Sequence, residues 1–340
     1  MKPYTRLLLL LILAISSAAS AQPLFESDGV LEIELSGPLH TLIKNKHDDP
    51  RVEKPFKLSA EGVQHDIEVR VRGKSRINLC SFPPLRLNFD TDSTEGSVFS
   101  GQDKLKLVTH CSTSSYAEAD VMEEYAAYRI FNLLSETSYR VRPLRIHYHN
   151  TEGRVAGIDE PRYGFLIESK ESLAERAGSN TITAKGVKLS RLDQERAALM
   201  YLFQYLVGNT DWSLARAHDE DFCCHNVTLL CLQDFLVPVP YDLDMSGLVN
   251  AKYAKPHPNL RRLKRVTQRL YRGHCTEPEN LRTALRHIVQ RREDIGRIIE
   301  DLPGVQQGTK KKKHRFLDSF FKEAEKEDEM IEKFVDDCIK

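Results

Sequence analysis

The sequence predicts an α+β protein of two lobes, a β-rich N-terminal part followed by a helix-rich C-terminal part. Three observations predict it. Apolar and polar residues alternate in short runs between Val30 and Leu107, the period of half-buried antiparallel strands. Apolar residues then recur at helical spacing from Val121 to Leu134, and densely from Leu192 to Val207. Beyond Pro256 and Pro258 the chain becomes basic and amphipathic.

The first element is a leader. Lys2 and Arg6 precede an unbroken apolar run from Leu7 to Ile15, and Ala19-Ser20-Ala21 follows with the small-x-small pattern of a cleavage site. The run is short for a membrane span, so residues 1–21 read as a signal peptide cut after Ala21. The expected protein is bacterial, exported, and periplasmic or secreted, with no stable transmembrane segment.

Strands follow at Val30–Leu35, Ile67–Arg72, Leu85–Phe89 and Lys104–Val108, with turn-rich pieces such as Asp90–Gly96 between them. A helix carries Val121, Tyr125, Tyr128, Ile130, Phe131 and Leu134 on one stripe. Strands at Arg142–His149 and Tyr163–Glu168 are joined through a Glu152-Gly153 turn. A buried helix runs from Ser190 to Val207, and Val227–Cys231 and Phe235–Tyr241 form a small hairpin. Arg282–Ile299 is an amphipathic helix, and Lys310–Lys313 is a charge run of the solvated-linker kind before an amphipathic tail. The expected domains are residues 22–170 (β-rich, one helix), 171–305 (helical, with the hairpin) and 306–340 (basic linker and C-terminal helix).

Composition narrows the function. The chain has 340 residues, with 49 Lys+Arg balanced by 49 Asp+Glu. That balance lacks the basic excess that drives nucleic-acid binding. Charged residues at 29% and hydrophobic ones at 41% exclude a mostly disordered chain. Export makes pairing of some of the seven cysteines expected. Cys80 with Cys111 is the first candidate pair, since each adjoins a strand, and Cys231 with Cys275 the second. Cys223-Cys224-His225 lacks the two separated pairs of a zinc site.

The chemistry concentrates between Gly208 and Gly247. A buried helix ends in Gly208-Asn209-Thr210-Asp211, an acidic loop with His218, Asp219, Glu220 and Asp221 leads to His225-Asn226, and the hairpin returns the chain to Pro240-Tyr241-Asp242-Leu243-Asp244. Phosphoryl transfer to a hydroxyl needs such a set: one carboxylate for the hydroxyl, and a second carboxylate with an amide for metal ions. Such a site also wants a cation paired to a helix carboxylate. Lys106 with Glu124 is the reading, Lys104 with Glu123 the alternative. A Ser-His-Asp hydrolase is disfavoured because no Gly-x-Ser-x-Gly elbow occurs.

In its helix–GN-x-D–loop–HN–strand–strand–P-x-D order the chain resembles the atypical kinases, most of all the spore coat protein H (CotH) kinase family, and is similar to the HipA-like kinases. Val71-Arg72-Gly73-Lys74-Ser75 resembles that family's R-G-N-S-S segment, Ser81–Phe89 the strand after it, and Tyr163–Glu168 its G-x-Y-x-L-x-E strand. The resemblance runs from about Ile67 to Gly247. It implies a two-lobed protein kinase-like fold. It implies Asp211 as the catalytic residue, and Asn226 and Asp242 as metal ligands with Asp244 as the competing choice. Arg72, Gly73 and Ser75 would lie over the nucleotide phosphates, and Glu168 near the strand joining the lobes. The expected activity is transfer of a phosphoryl (or nucleotidyl) group from ATP, with Mg²⁺ or Mn²⁺, to a protein acceptor in the envelope or outside the cell. The alternative is a non-catalytic envelope protein that keeps the fold as a binding scaffold.

Overall fold

The computed structural model describes residues 23–184, 186–214 and 223–340. The expected leader, residues 1–21, and the acidic segment that holds His218, Asp219, Glu220 and Asp221 lie outside these. Where the sequence alternates, it forms strands: β1 (Leu31–Gly37), β2 (Lys54–Ala60), β3 (Val63–Val71), β4 (Leu85–Phe89) and β5 (Lys104–Val108). A short helix, α1 (Leu39–Lys44), follows β1, and a one-turn helix, α2 (Arg76–Leu79), follows β3. Then come α3 (Ser115–Leu134), β6 (Val141–Asn150), β7 (Arg162–Ile167), α4 (Lys170–Arg176), β8 (Asn180–Ile182), α5 (Gln194–Val207), β9 (Val227–Leu232) and β10 (Phe235–Pro240). The chain ends in α6 (Pro278–Val289), α7 (Arg292–Glu300), α8 (Gln307–Ala324) and α9 (Glu327–Asp337).

The two-lobed kinase-like arrangement expected from the sequence does not hold. Seven strands close into a mixed barrel in the order β1-β2-β3-β4-β5-β7-β6. The ring is shut by a parallel pairing of β1 with β6, from Leu31 opposite Leu144 to Gly37 opposite Asn150. Alternation is the same in an open sheet and in a barrel, so nothing in it announces closure. Leu35, Leu58, Val69, Leu87, Leu105 and Leu144 fill the barrel and are inaccessible to solvent. Helix α3 packs against β7 and β6 of the barrel and also into the helical part. Its Val121, Met122, Ala126, Ile130 and Phe131 share one core with α5 and the C-terminal helices.

Other expectations shift in detail. The single helix read over residues 282–299 is two, α6 and α7, and the tail is α8 and α9. The basic run at 310–313 lies within α8 rather than in a linker, with Lys310 buried and bonded to the Glu300 carbonyl. Helix α5 starts where the Asp193 carboxylate accepts the Arg196 N–H at 3.0 Å. It stops at Gly208, whose φ of 66° is left-handed and so suits a residue without a Cβ. That stop turns the chain into Asn209–Asp211. Among the described residues no helix is long and apolar enough to cross a membrane.

Cys80 and Cys111 form the expected disulfide, joining the end of α2 to the segment after β5. Cys275 pairs with Cys338 instead of Cys231, because the C-terminal segment lies alongside it, with Ile339 bridging His274. Cys231 is free, and the neighbours Cys223 and Cys224 are also disulfide-bonded.

Beside the first disulfide, His110 is fully buried, with its ring 4.5 Å from that of Phe82 and 5.9 Å from that of Tyr148. Burial, with the nearby charge of Arg162 added, lowers its pKa from the usual 6.5 to about 3. The unfolded chain therefore binds this proton more readily, so the His110 contribution is complete above pH 6.5 and is lost as pH falls toward 3. His110→Phe should flatten stability over that window relative to wild type, measured by urea unfolding at a series of pH values.

Candidate functional site

Several pieces of chain meet where the barrel faces the helical part. The loop after β3 and α2 bring Arg72, Gly73, Ser75 and Arg76, and β5 brings Lys106. Helix α3 brings Glu124. The turn after β10 brings Asp242 and Asp244, and the end of α5 with the start of β9 brings Asp211, His225 and Asn226.

At the centre is an acidic cluster. Ligand atoms of Glu124, Asp242 and Asp244 lie within 4.8 Å of one another. The buried Arg76 sits among them: it donates to Asp244 Oδ2 at 2.9 Å and to Glu124 Oε2 at 2.7 Å, with Asp242 Oδ1 at 3.5 Å. The Tyr253 hydroxyl donates to Asp244 Oδ2 at 2.8 Å. Asp244 and Glu124 are thus enclosed, whereas the Asp242 side chain is 47% exposed and is the carboxylate a ligand can reach. Asp242 holds a left-handed φ of 56°, and its N–H donates to the Tyr128 hydroxyl at 2.9 Å. Burial pushes the Glu124 carboxyl up to about 8 against the pull of Arg76. Asp242, open on one side only, is partly desolvated, and this with the adjacent Asp244 carboxylate pushes it up as well. One guanidinium does not neutralise three carboxylates, so the cluster favours a further proton or cation. The all-oxygen donor set suits a hard divalent ion.

Asp211 is held from two sides. His225 Nε2 donates to Asp211 Oδ1 at 3.0 Å, and Asn226 Nδ2 donates to Asp211 Oδ2 at 3.1 Å and to the Asp211 carbonyl at 2.8 Å. Its N–H donates to Asn209 Oδ1 at 3.0 Å. Burial works against its charge, but the His225 hydrogen bond and charge, with Arg272 beyond, hold the carboxyl below its ordinary value. The same hydrogen bond raises the His225 pKa against the effect of burial. Asp211 is therefore an oriented carboxylate at neutral pH. Its charge also adds, as the smallest of several causes, to the upward shift of the Asp242 carboxyl.

Lys106 lies between the rings of Tyr139 and Tyr241, 5.7 and 5.5 Å from their centroids. Burial and the neighbouring Arg72 lower its pKa to about 8, while Asp242 pulls it back up. Among the described residues Lys106 makes no ion pair. Neither expected lysine–glutamate pair forms: Glu124 belongs to Arg76, Lys104 pairs with Asp103, and Glu123 pairs with Lys313 of α8 at 2.8 Å. Glu168 is bonded to Arg176 through both oxygens, at 3.0 and 2.9 Å, and accepts the Arg140 N–H, which makes it a brace. Gly73, with φ of 99°, turns the chain so that Arg76 enters the cluster. Ser75 is exposed at the start of α2.

Sequence reading missed Arg76, His225 as a partner of Asp211, Tyr253 and Lys313. Arg76 and His225 each adjoin a residue that was singled out, but contact with carboxylates far away in the chain has no local signature. For Tyr253 and Lys313 no local signal exists.

No protein-family model matches the chain, and no curated protein matches it. Among solved structures, the crystal structure of the Helicobacter pylori proinflammatory kinase CtkA aligns over 78% of this chain and 86% of that one, with 14% identity and a TM-score of 0.35. The likeness is weak, and the functional reading rests on the site geometry instead.

Removing one partner of a buried ion-pair network leaves the others uncompensated and costs about 3–5 kcal/mol. Arg76→Ala should lose about that much stability, and millimolar Mg²⁺ or Mn²⁺ should restore part of it. Urea unfolding with and without the ion measures both. A variant as stable as wild type would mean that the guanidinium does not bind the cluster together.

Proposed function

We propose that this protein is a metal-dependent phosphotransferase that uses ATP to modify a hydroxyl of an exported protein acceptor. The observation that carries the reading is the meeting of opposite charges in one site. Lys106 and Arg72 supply cations suited to phosphate oxygens, Asp242 offers a reachable carboxylate beside Glu124 and Asp244, and Asp211 is an ionised carboxylate fixed by His225 and Asn226 whose charge reaches Asp242. Phosphoryl transfer depends mainly on positioning and charge neutralisation.

In the proposed reaction the acceptor hydroxyl oxygen bonds to the γ-phosphorus, and the bond from that phosphorus to the β–γ bridging oxygen breaks, releasing ADP. The hydroxyl proton passes to Asp211, which His225 and Asn226 hold in place. Lys106 and Arg72 take charge on the phosphate oxygens. Asp242, with Glu124 and Asp244 behind it, would hold Mg²⁺ or Mn²⁺, which when bound neutralises phosphate charge. Asn226 donates from its amide nitrogen to Asp211 and so positions that carboxylate, while its amide oxygen is the atom that would hold the metal ion. The disulfides suit an oxidising compartment, in keeping with an exported protein.

One observation favours the second reading, a non-catalytic binding protein. Arg76 already supplies a cation to the three carboxylates, and a divalent ion must share or displace it.

Radiolabelled transfer from ATP to envelope extract, beside nucleotide-dependent melting shifts, tests the proposal. Asp211→Ala should keep the Mg²⁺-ATP melting shift and lose transfer by about 10²–10⁴-fold. Asp242→Ala should lose the shift itself. Asp244→Ala should instead lower stability, since Asp244 is bonded to both Arg76 and Tyr253. Wild-type protein that neither transfers label nor shifts with any nucleotide and divalent ion would remove the enzyme reading in favour of the binding one.

A further inference from the structure

The outer face of the barrel carries an unusual row of cations. In register, Arg70 of β3 stands opposite Arg86 of β4, and Arg86 stands opposite Lys106 of β5. The alternate residues Val69, Leu85, Leu87, Leu105 and Leu107 fill the barrel, so these three side chains all point outward. Like charges directly opposite across a sheet destabilise it. Arg51 extends the row, and its charge with that of Arg86 bears on Arg70.

The compensation present is small. Glu53 reaches Arg70 Nε at 3.6 Å while also accepting from Asn88. Asp48 and Asp49 lie on the rim of a cavity of about 640 Å³ that Arg51, Arg70 and Lys74 also line. Arg86 and Lys106 make no ion pair among the described residues. Adjacent strands are about 4.8 Å apart, so the row runs roughly 10 Å from Lys106 to Arg70, away from the groups assigned to the phosphates. One end is therefore at the site and the other at the cavity.

We infer that this row is a docking track for an acidic segment of a polypeptide, whose carboxylates seat between Arg86, Arg70 and Arg51. Only the description of that segment as part of the phosphate acceptor rests on the phosphotransfer reading. An acidic chain laid on the row would relieve the repulsion between strands, and an extended peptide matches a straight row of side chains on a sheet. Charge complementarity of this kind guides both encounter and choice of partner.

The test uses the full chain and a fluorescein-labelled peptide of glutamates around one serine, with the matching glutamine peptide as control. Fluorescence anisotropy at low salt should show binding of the glutamate peptide alone. Binding should weaken as salt rises. The double variant Arg70→Gln/Arg86→Gln should bind that peptide about tenfold more weakly, while its Mg²⁺-ATP melting shift stays near wild type. The variant should melt no lower than wild type, since it removes a like-charge pair. Three results would overturn the inference: no binding of the glutamate peptide by wild type, equal binding by the variant, or loss of nucleotide binding in step with peptide binding. The last would assign the row to the nucleotide. Anisotropy needs no turnover, so a wild-type protein without transferase activity that binds the peptide through Arg70 and Arg86 would remove the phosphotransfer reading and leave the docking track standing.

Discussion

The Arg76 guanidinium is the contact through which the parts of this molecule are joined. It leaves the barrel from the turn after β3, meets Glu124 on α3, and reaches Asp244 in the turn after β10. Those three pieces belong to the barrel, to the helix packed beside it and to the C-terminal hairpin. A buried ion pair adds little net stability against a well-packed apolar substitute, but its geometry is demanding. Here the demand sets how the barrel sits against the helical core and where Asp242 is presented.

That arrangement creates the electrostatic character of the site. Enclosure of Glu124 and Asp244 leaves Asp242 as the accessible member of the cluster. Because burial opposes the charge on Glu124 and Asp242, the cluster stays receptive to a cation beyond Arg76. Asp211 has the opposite environment, since its two amide and imidazole donors stabilise the ionised form. Carboxylates a short distance apart are thus biased in different directions, as acid–base and metal roles require. On the same helix, Glu123 turns away from the site to Lys313, so α8 helps to fix α3, which carries Glu124.

Barrel closure has a consequence for the surface as well as for the core. With the neighbouring inward positions Val69, Val71, Leu85, Leu87, Leu105 and Leu107 taken by aliphatic residues, Arg70, Arg86 and Lys106 share the outward face. Register then sets them opposite one another. The chain is neutral overall, and the positive face arises from this local pairing.

The sequence by itself determined the elements whose cause is local. The two-residue period made β1, β3, β4 and β5, the apolar stripe made α3, and Gly208 ended α5, since side-chain burial on one face and a left-handed cap are properties of adjacent residues. It also singled out Asp211 and Asn226, which are hydrogen-bonded to each other, and it indicated the Cys80–Cys111 pair. Tertiary structure alone decided the rest. The parallel contact of β1 with β6 closed what was expected to be the β-rich lobe of a kinase-like fold into a barrel, and strand alternation is indifferent to that choice. The partners of Glu124, Glu123 and Glu168 were likewise beyond the sequence. A buried carboxylate takes whichever cation the packing brings within hydrogen-bond distance: Arg76 for Glu124 rather than Lys106, Lys313 for Glu123 rather than Lys104, and Arg176 for Glu168. Contacts between residues far apart in the chain are set by how whole elements pack, and no short stretch of sequence encodes them.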